Sequence, residues 1–308
     1  MKTTTLTPAR RKALLKALVD SPTYRKAYQD IDFLAREELR PMRLQLELLK
    51  PEMILVENGI ASTIIVFGSA RILAPEDSLR ALARLRRELA RKPSDAALRE
   101  SLAAAERLHG LSRYYEEARR FGRIVTKASQ GKGKRHFVIV TGGGPGIMEA
   151  ANRGAFDAKG KSIGLNITLP HEQEPNPFVT PELSFLFHYF AIRKMHFLMR
   201  AKAMVAFPGG FGTLDEIFET LTLVQTGKKA RLPVILVGRE FWTRVLDIQT
   251  LASEGVISPS DMDLIQMVDT AEEAWSAIRD YWRRNGMPHA HHRKTFFSHK
   301  ASEDSRNS

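Results

Sequence analysis

Short apolar runs alternate with longer amphipathic stretches along most of this chain. Residues 62–67 (S-T-I-I-V-F) are β-branched and stop at Gly68-Ser69, which predicts a strand. Similar runs at 136–141, 162–168, 183–189, 203–207 and 233–237 predict five more. Between them apolar positions recur at helical spacing, as in Leu79, Leu82, Leu85 and Leu89, or Ile217, Phe218, Leu221 and Val224. Strands alternating with helices predict an α/β fold: a Rossmann-like parallel sheet with helices on both faces.

The pattern also predicts additions to that domain, which is placed at 61–250. Residues 1–60 read as an N-terminal helical arm. Leu14, Leu15 and Leu18 mark a short helix, and the leucine-rich stretch from Phe33 to Leu49 marks helices broken near Pro41. Residues 76–130 read as an inserted helical hairpin, interrupted at Pro93-Ser94-Asp95. Residues 251–285 read as helical, with Trp275, Ile278 and Trp282 on one face, and 286–308 as a disordered tail. His289, His291 and His292 in that tail are a tract able to take up metal weakly.

The apolar run before Pro208 leads into Pro208-Gly209-Gly210-Phe211-Gly212-Thr213-Leu214-Asp215-Glu216. This is a strand, a glycine-rich turn and a helix start. The free N–H groups and dipole at such a helix start favour an anion. Two readings of Thr213 and Glu216 stand side by side. They form a T-x-x-E capping box, or the turn holds a phosphate while Glu216 faces the same cleft. A second block, Gly142-Gly143-Gly144-Pro145-Gly146-Ile147-Met148-Glu149, follows the 136–141 run. It fails the dinucleotide fingerprint, because the required third glycine is Ile147 or Glu149, and no acid closes the next strand. Gly160-Lys161-Ser162 mimics a P-loop ending, but a strand follows where a helix is needed. NAD binding and ATP hydrolysis are therefore disfavoured. Ser69, at the end of the first strand, is read either as a ligand for phosphate or ribose or as a helix N-cap.

Charge changes the picture little. The 308 residues carry a formal net charge of +12, and between Arg71 and Arg135 there are 17 Lys and Arg against 8 Asp and Glu. Runs of this kind are usually a solvated helix face, with an anionic ligand next. No nucleic-acid-binding module accompanies them, so a nucleic-acid partner is not expected. The chain has no cysteine, which excludes disulfides and thiolate metal sites and fits a cytoplasmic home. No apolar run approaches the roughly 18 residues of a membrane span, and no signal-peptide pattern opens the chain.

P-G-G-x-G-T-x-x-E at 208–216 resembles one signature of the LONELY GUY (LOG) family of nucleotide phosphoribohydrolases. The block at 142–149 is similar to the other signature, and Arg193-Lys194, fifteen residues before Pro208, resembles the family's R-K pair. The resemblance covers roughly residues 60–245. It implies hydrolysis of the N-glycosidic bond of a nucleoside 5′-monophosphate, such as AMP or a cytokinin riboside monophosphate, with Arg193 and Glu216 catalytic. It carries substrate contacts onto Ser69, Gly143, Gly144, Gly146, Glu149, Glu172, Lys194, Gly209, Gly210, Gly212, Thr213, Asp215 and Thr222. Glu172 enters through Pro170-His171-Glu172, with Glu174 an alternative acid. Lys194 is expected to add positive charge for the phosphate. Phe197 stands where the family has methionine, so the shape of the base pocket does not carry over. No metal or organic cofactor is implied, and a homo-oligomer is. The alternative is a non-hydrolysing nucleotide sensor or a carrier like the molybdenum-cofactor carriers. An older label for the motif, lysine decarboxylase, has no support in any pyridoxal-phosphate lysine context here.

Overall fold

The computed structural model describes residues 6–131, 133, 135–168 and 174–286. The chain divides into two compact units, Met1–Lys50 and Pro51–Ser308. In the first unit, α1 (Pro8–Val19) is N-capped by the Thr7 hydroxyl, which accepts from the Arg10 N–H. The single-turn α2 (Ile31–Leu34) is capped by Asp30. Helix α3 (Arg40–Glu57) runs across the boundary. The helices break next to Pro41 as expected: α2 ends at Leu34 and α3 starts at Arg40, with Pro41 in its first turn, where a missing N–H costs nothing. Pro51, inside the same helix, is tolerated as well.

The second unit is built on seven parallel strands: β1 (Thr63–Phe67), β2 (Val138–Thr141), β3 (Ser162–Ile167), β4 (Ser184–Phe187), β5 (Ala201–Ala206), β6 (Val234–Val237) and β7 (Ile265–Val268). Their order is β4-β3-β2-β1-β5-β6-β7, parallel throughout. Six strands match the apolar runs. β7 lies within the stretch read as helical, an edge strand of only four residues, Ile-Gln-Met-Val. The central strands β1, β2, β5 and β6 are buried along nearly their whole length, as a parallel sheet covered on both faces demands.

Helices α4 (Pro75–Arg91) and α5 (Ala96–Gly110) form the expected hairpin, with Asp95 capping the second. The insertion ends there. Helix α6 (Arg113–Ser129) belongs to the core, since Tyr115, Ala118, Phe121 and Val125 are buried beneath it. It packs on α7 (Ile147–Asp157). The remaining helices are α8 (Phe190–Met199), α9 (Phe211–Gln225), α10 (Arg239–Val245), α11 (Ile248–Ser253) and α12 (Ala271–Asn285). On α12, Trp275, Ile278 and Trp282 are buried, as their spacing predicts. The histidines of the 286–308 tail, and Glu172 with its flanking residues, lie outside the described residues. Among the described residues no helix is long and apolar enough to cross a membrane.

Candidate functional site

The order of strands reverses between β1 and β5. In open α/β sheets ligands bind beyond the carboxyl ends of strands at such a point. Three turns meet there, tied by backbone hydrogen bonds. The Ser69 N–H donates to the Pro208 carbonyl at 2.9 Å, and the Ile147 N–H donates to the Ser69 carbonyl at 3.1 Å. The turns after β1, β2 and β5 are thereby joined. Gly146 is what lets them close. Its φ is +70°, and a Cβ on it would lie 2.5 Å from the Ser69 carbonyl oxygen. Ser69 is not a helix N-cap, because α4 begins at Pro75; its hydroxyl accepts the Arg71 N–H within the turn.

Helix α9 starts at Phe211 with Gly210 as N-cap and no side chain capping it. The Gly210 carbonyl receives the N–H groups of Thr213 and Leu214. Thr213 and Glu216 therefore lie inside the helix, and the capping-box reading is corrected. Thr213 is buried and packs over Gly209. Phe211 is 92% exposed, whereas Glu216, one and a half turns on, is only 6% exposed. Burial pushes the Glu216 carboxyl up to about 7. The cations Lys194 and Arg193 oppose that rise, and Glu219 and Asp215 add to it.

Helix α8 supplies both cations. The Arg193 Nε donates to the Leu165 carbonyl at 2.7 Å, and its guanidinium lies over the Phe197 ring at 5.3 Å. Burial pushes that guanidinium below its ordinary value, with Glu216 acting the other way. Phe197 is fully buried against Phe67, rings at 4.8 Å. Lys194 reaches the carboxylates of Asp215 at 2.7 Å, Glu219 at 2.8 Å and Glu216 at 3.9 Å. Among the described residues no group of three His, Asp or Glu side chains is placed to hold a metal.

Residues 148–278 match a protein family described as "possible lysine decarboxylase". The chain is 26% identical over 152 residues to a "probable cytokinin riboside 5′-monophosphate phosphoribohydrolase" of Oryza sativa subsp. japonica, covering 47% of this chain and 68% of that one. It is 29% identical over 156 residues to a cytokinin riboside 5′-monophosphate phosphoribohydrolase of Arabidopsis thaliana, covering 49% and 71%. The chain is thus similar to LOG proteins over about half of its length. A solved molybdenum cofactor carrier protein from Chlamydomonas reinhardtii is 18% identical with a TM-score of 0.43, over 72% of this chain and 99% of that one. Likeness at that level carries no argument about function.

The remaining expected site residues divide. Gly143 and Gly144 are held by Asn176, whose Nδ2 donates to their carbonyls at 3.1 and 3.0 Å and to Asn152 Oδ1 at 3.0 Å. The Thr141 hydroxyl donates to the same Asn152 oxygen and accepts the Gly143 N–H. This buried network fixes the glycine block that follows β2. No motif announced Asn176, because its partners are distant in sequence. Glu149, at the start of α7, accepts from the Tyr115 hydroxyl at 2.7 Å and so is engaged with α6. Thr222 is exposed on α9. Six residues past Glu216, it is turned about 120° around the helix from it. Asp215 and Glu219 flank Glu216 on α9, and the i, i+3 and i, i+4 spacings that bring Glu219 to the same cation were readable in the sequence.

Proposed function

We propose that this chain hydrolyses the N-glycosidic bond of nucleoside 5′-monophosphates, adding water to give the free base and ribose 5-phosphate. The observation that carries this is a carboxylate, Glu216, buried beside Arg193 and one and a half turns below an uncapped, glycine-rich helix start. The turn at Gly209, Gly210 and Gly212 receives the 5′-phosphate, fixing the ribose before chemistry. As the glycosidic bond breaks, positive charge develops on the sugar ring. Glu216 stabilises that charge or takes a proton from the attacking water. A carboxyl raised to about 7 suits either task near neutrality. Arg193, anchored to Leu165, orients substrate against Glu216.

The relatives' names support a substrate of the AMP or cytokinin riboside monophosphate type. We further propose a homo-oligomer. Phe190, Met195 and Met199 on α8 and Phe211 and Phe218 on α9 are large apolar side chains left exposed around the site. A panel of nucleoside monophosphates, with adenosine beside AMP and free base read by chromatography, tests the reading. Cleavage of AMP and not of adenosine supports it; equal turnover of the two removes the phosphate assignment.

A further inference from the structure

The partners of Lys194 are all anionic. Its Nζ reaches from α8 to α9, 2.7 Å from Asp215 Oδ2 and 2.8 Å from Glu219 Oε2, and stands 3.9 Å from Glu216 Oε1. The two outer carboxylates take its hydrogen bonds. The inner one, nearly sealed from solvent, receives its charge without a direct bond. Burial works against the charge on Lys194, but the bonds to Asp215 and Glu219 more than offset it and hold the ammonium above its ordinary value.

This arrangement is a poor phosphate seat. Three carboxylates around one ammonium leave a local excess of negative charge, and a phosphate drawn to Lys194 would also meet Asp215 and Glu219. The uncapped turn at Gly209–Gly212 has no such acids in its first turn. Glu216 has the opposite need. A carboxyl this buried is inclined to hold its proton, and only a fixed cation nearby keeps it ionised. The charged groups around it are Lys194 and Arg193 from α8 and Asp215 and Glu219 from its own helix. Arg193 is itself buried and committed to the Leu165 carbonyl.

We propose that Lys194 is a positioning residue that keeps Glu216 in its carboxylate form, and that Asp215 and Glu219 hold Lys194 in place for that purpose without touching substrate. This rests on the hydrolase reading for its consequence in catalysis. The geometry itself is tested apart from activity.

The test is a carbon-13 NMR titration of the full chain labelled at glutamate carboxyls, with the Glu216 signal assigned by its absence in Glu216→Gln. In Lys194→Met the Glu216 midpoint should rise by at least about one pH unit, the lower end of the effect of an opposite charge within ~4–6 Å. Lys194→Arg, which keeps the charge, should stay near wild type. Lys194→Gln, which removes the charge as Lys194→Met does but keeps a polar side chain, should raise the midpoint likewise and decides the matter if Lys194→Met does not fold. In parallel, the KM for AMP in Lys194→Met, measured above the Glu216 midpoint, should change less than about twofold while the acid limb of the rate profile moves up. An unmoved Glu216 midpoint in Lys194→Met or Lys194→Gln overturns the proposal. So does a tenfold or larger rise in KM with an unmoved acid limb, which would return Lys194 to the phosphate. If wild type cleaves no nucleotide, the hydrolase reading fails, while the midpoints still decide the role of Lys194.

Discussion

The guanidinium of Arg193 occupies space that a side chain at Gly142 would claim. A Cβ at 142 would stand 2.7 Å from Arg193 Nη2 and 2.9 Å from the Met148 sulfur. The first glycine of the block makes room for the proposed catalytic arginine. Both atoms it would strike are ends of flexible side chains, so the chain can yield there without unfolding. Gly142→Ala should keep a melting temperature close to wild type and lose roughly 10–100-fold in kcat, the scale of an ångström-level misplacement. Calorimetry and steady-state rates on one preparation check this. A lower melting temperature with unchanged kcat would show that Gly142 serves packing alone.

Gly212 offers the converse case. Nothing lies within 4 Å of a Cβ built on it, and it sits in the first turn of α9. Gly212→Ala should therefore leave stability unchanged or raise it by up to about 1 kcal/mol. If this turn receives the phosphate, AMP affinity should nonetheless fall about tenfold or more, since the added methyl stands where the anion approaches. Urea unfolding and equilibrium binding separate the two effects.

Asn176 carries the glycine block on one amide. Removing it in Asn176→Ala leaves the Gly143 and Gly144 carbonyls and the Asn152 oxygen short of a buried donor. The expected cost is about 1–3 kcal/mol by urea unfolding. Loosening of the block should appear as a raised KM. A change below about 0.5 kcal/mol would mean that water or Thr141 replaces the amide without loss.

The raised Glu216 carboxyl makes stability depend on pH with a definite sign. Its ordinary value is 4.5, and burial brings it to about 7. Between those values the native chain holds a proton that the unfolded chain has released. The contribution of this group to stability therefore falls as pH rises through that window, and levels off above about 7. Glu216→Gln does not titrate, so the variant should gain on wild type as pH is raised across the window. Chemical denaturation at several pH values reads the difference; a constant gap would place the Glu216 carboxyl at its ordinary value.

Much of the frame was legible because buried parallel strands write themselves as unbroken apolar runs, and six of the seven did. β7 did not: Gln266 interrupts it, and an edge strand needs burial on fewer sides. α6 was folded into the insertion because it is as arginine-rich and amphipathic as α4, and the pattern alone does not tell which of the two packs on the sheet. Pro41 did mark a helix boundary, since α3 starts one residue before it. The three site motifs were legible as motifs. What they could not reveal was side-chain partnership across elements: Lys194 with α9, Arg193 under Gly142, and Asn176 clamping the block. Those pairings depend on how α8, α9 and the loop before β4 meet in space.

The central claim is that Glu216 does chemistry on a nucleotide held by its 5′-phosphate. Adenine released from AMP, measured for wild type and Glu216→Gln side by side above the Glu216 midpoint, tests it most directly. Wild type should yield adenine and ribose 5-phosphate in equal amounts. Glu216→Gln should stay folded and still bind AMP, yet turn over at least about 100-fold more slowly, the lower end of general acid–base contributions. Near-normal adenine release by Glu216→Gln would contradict the account.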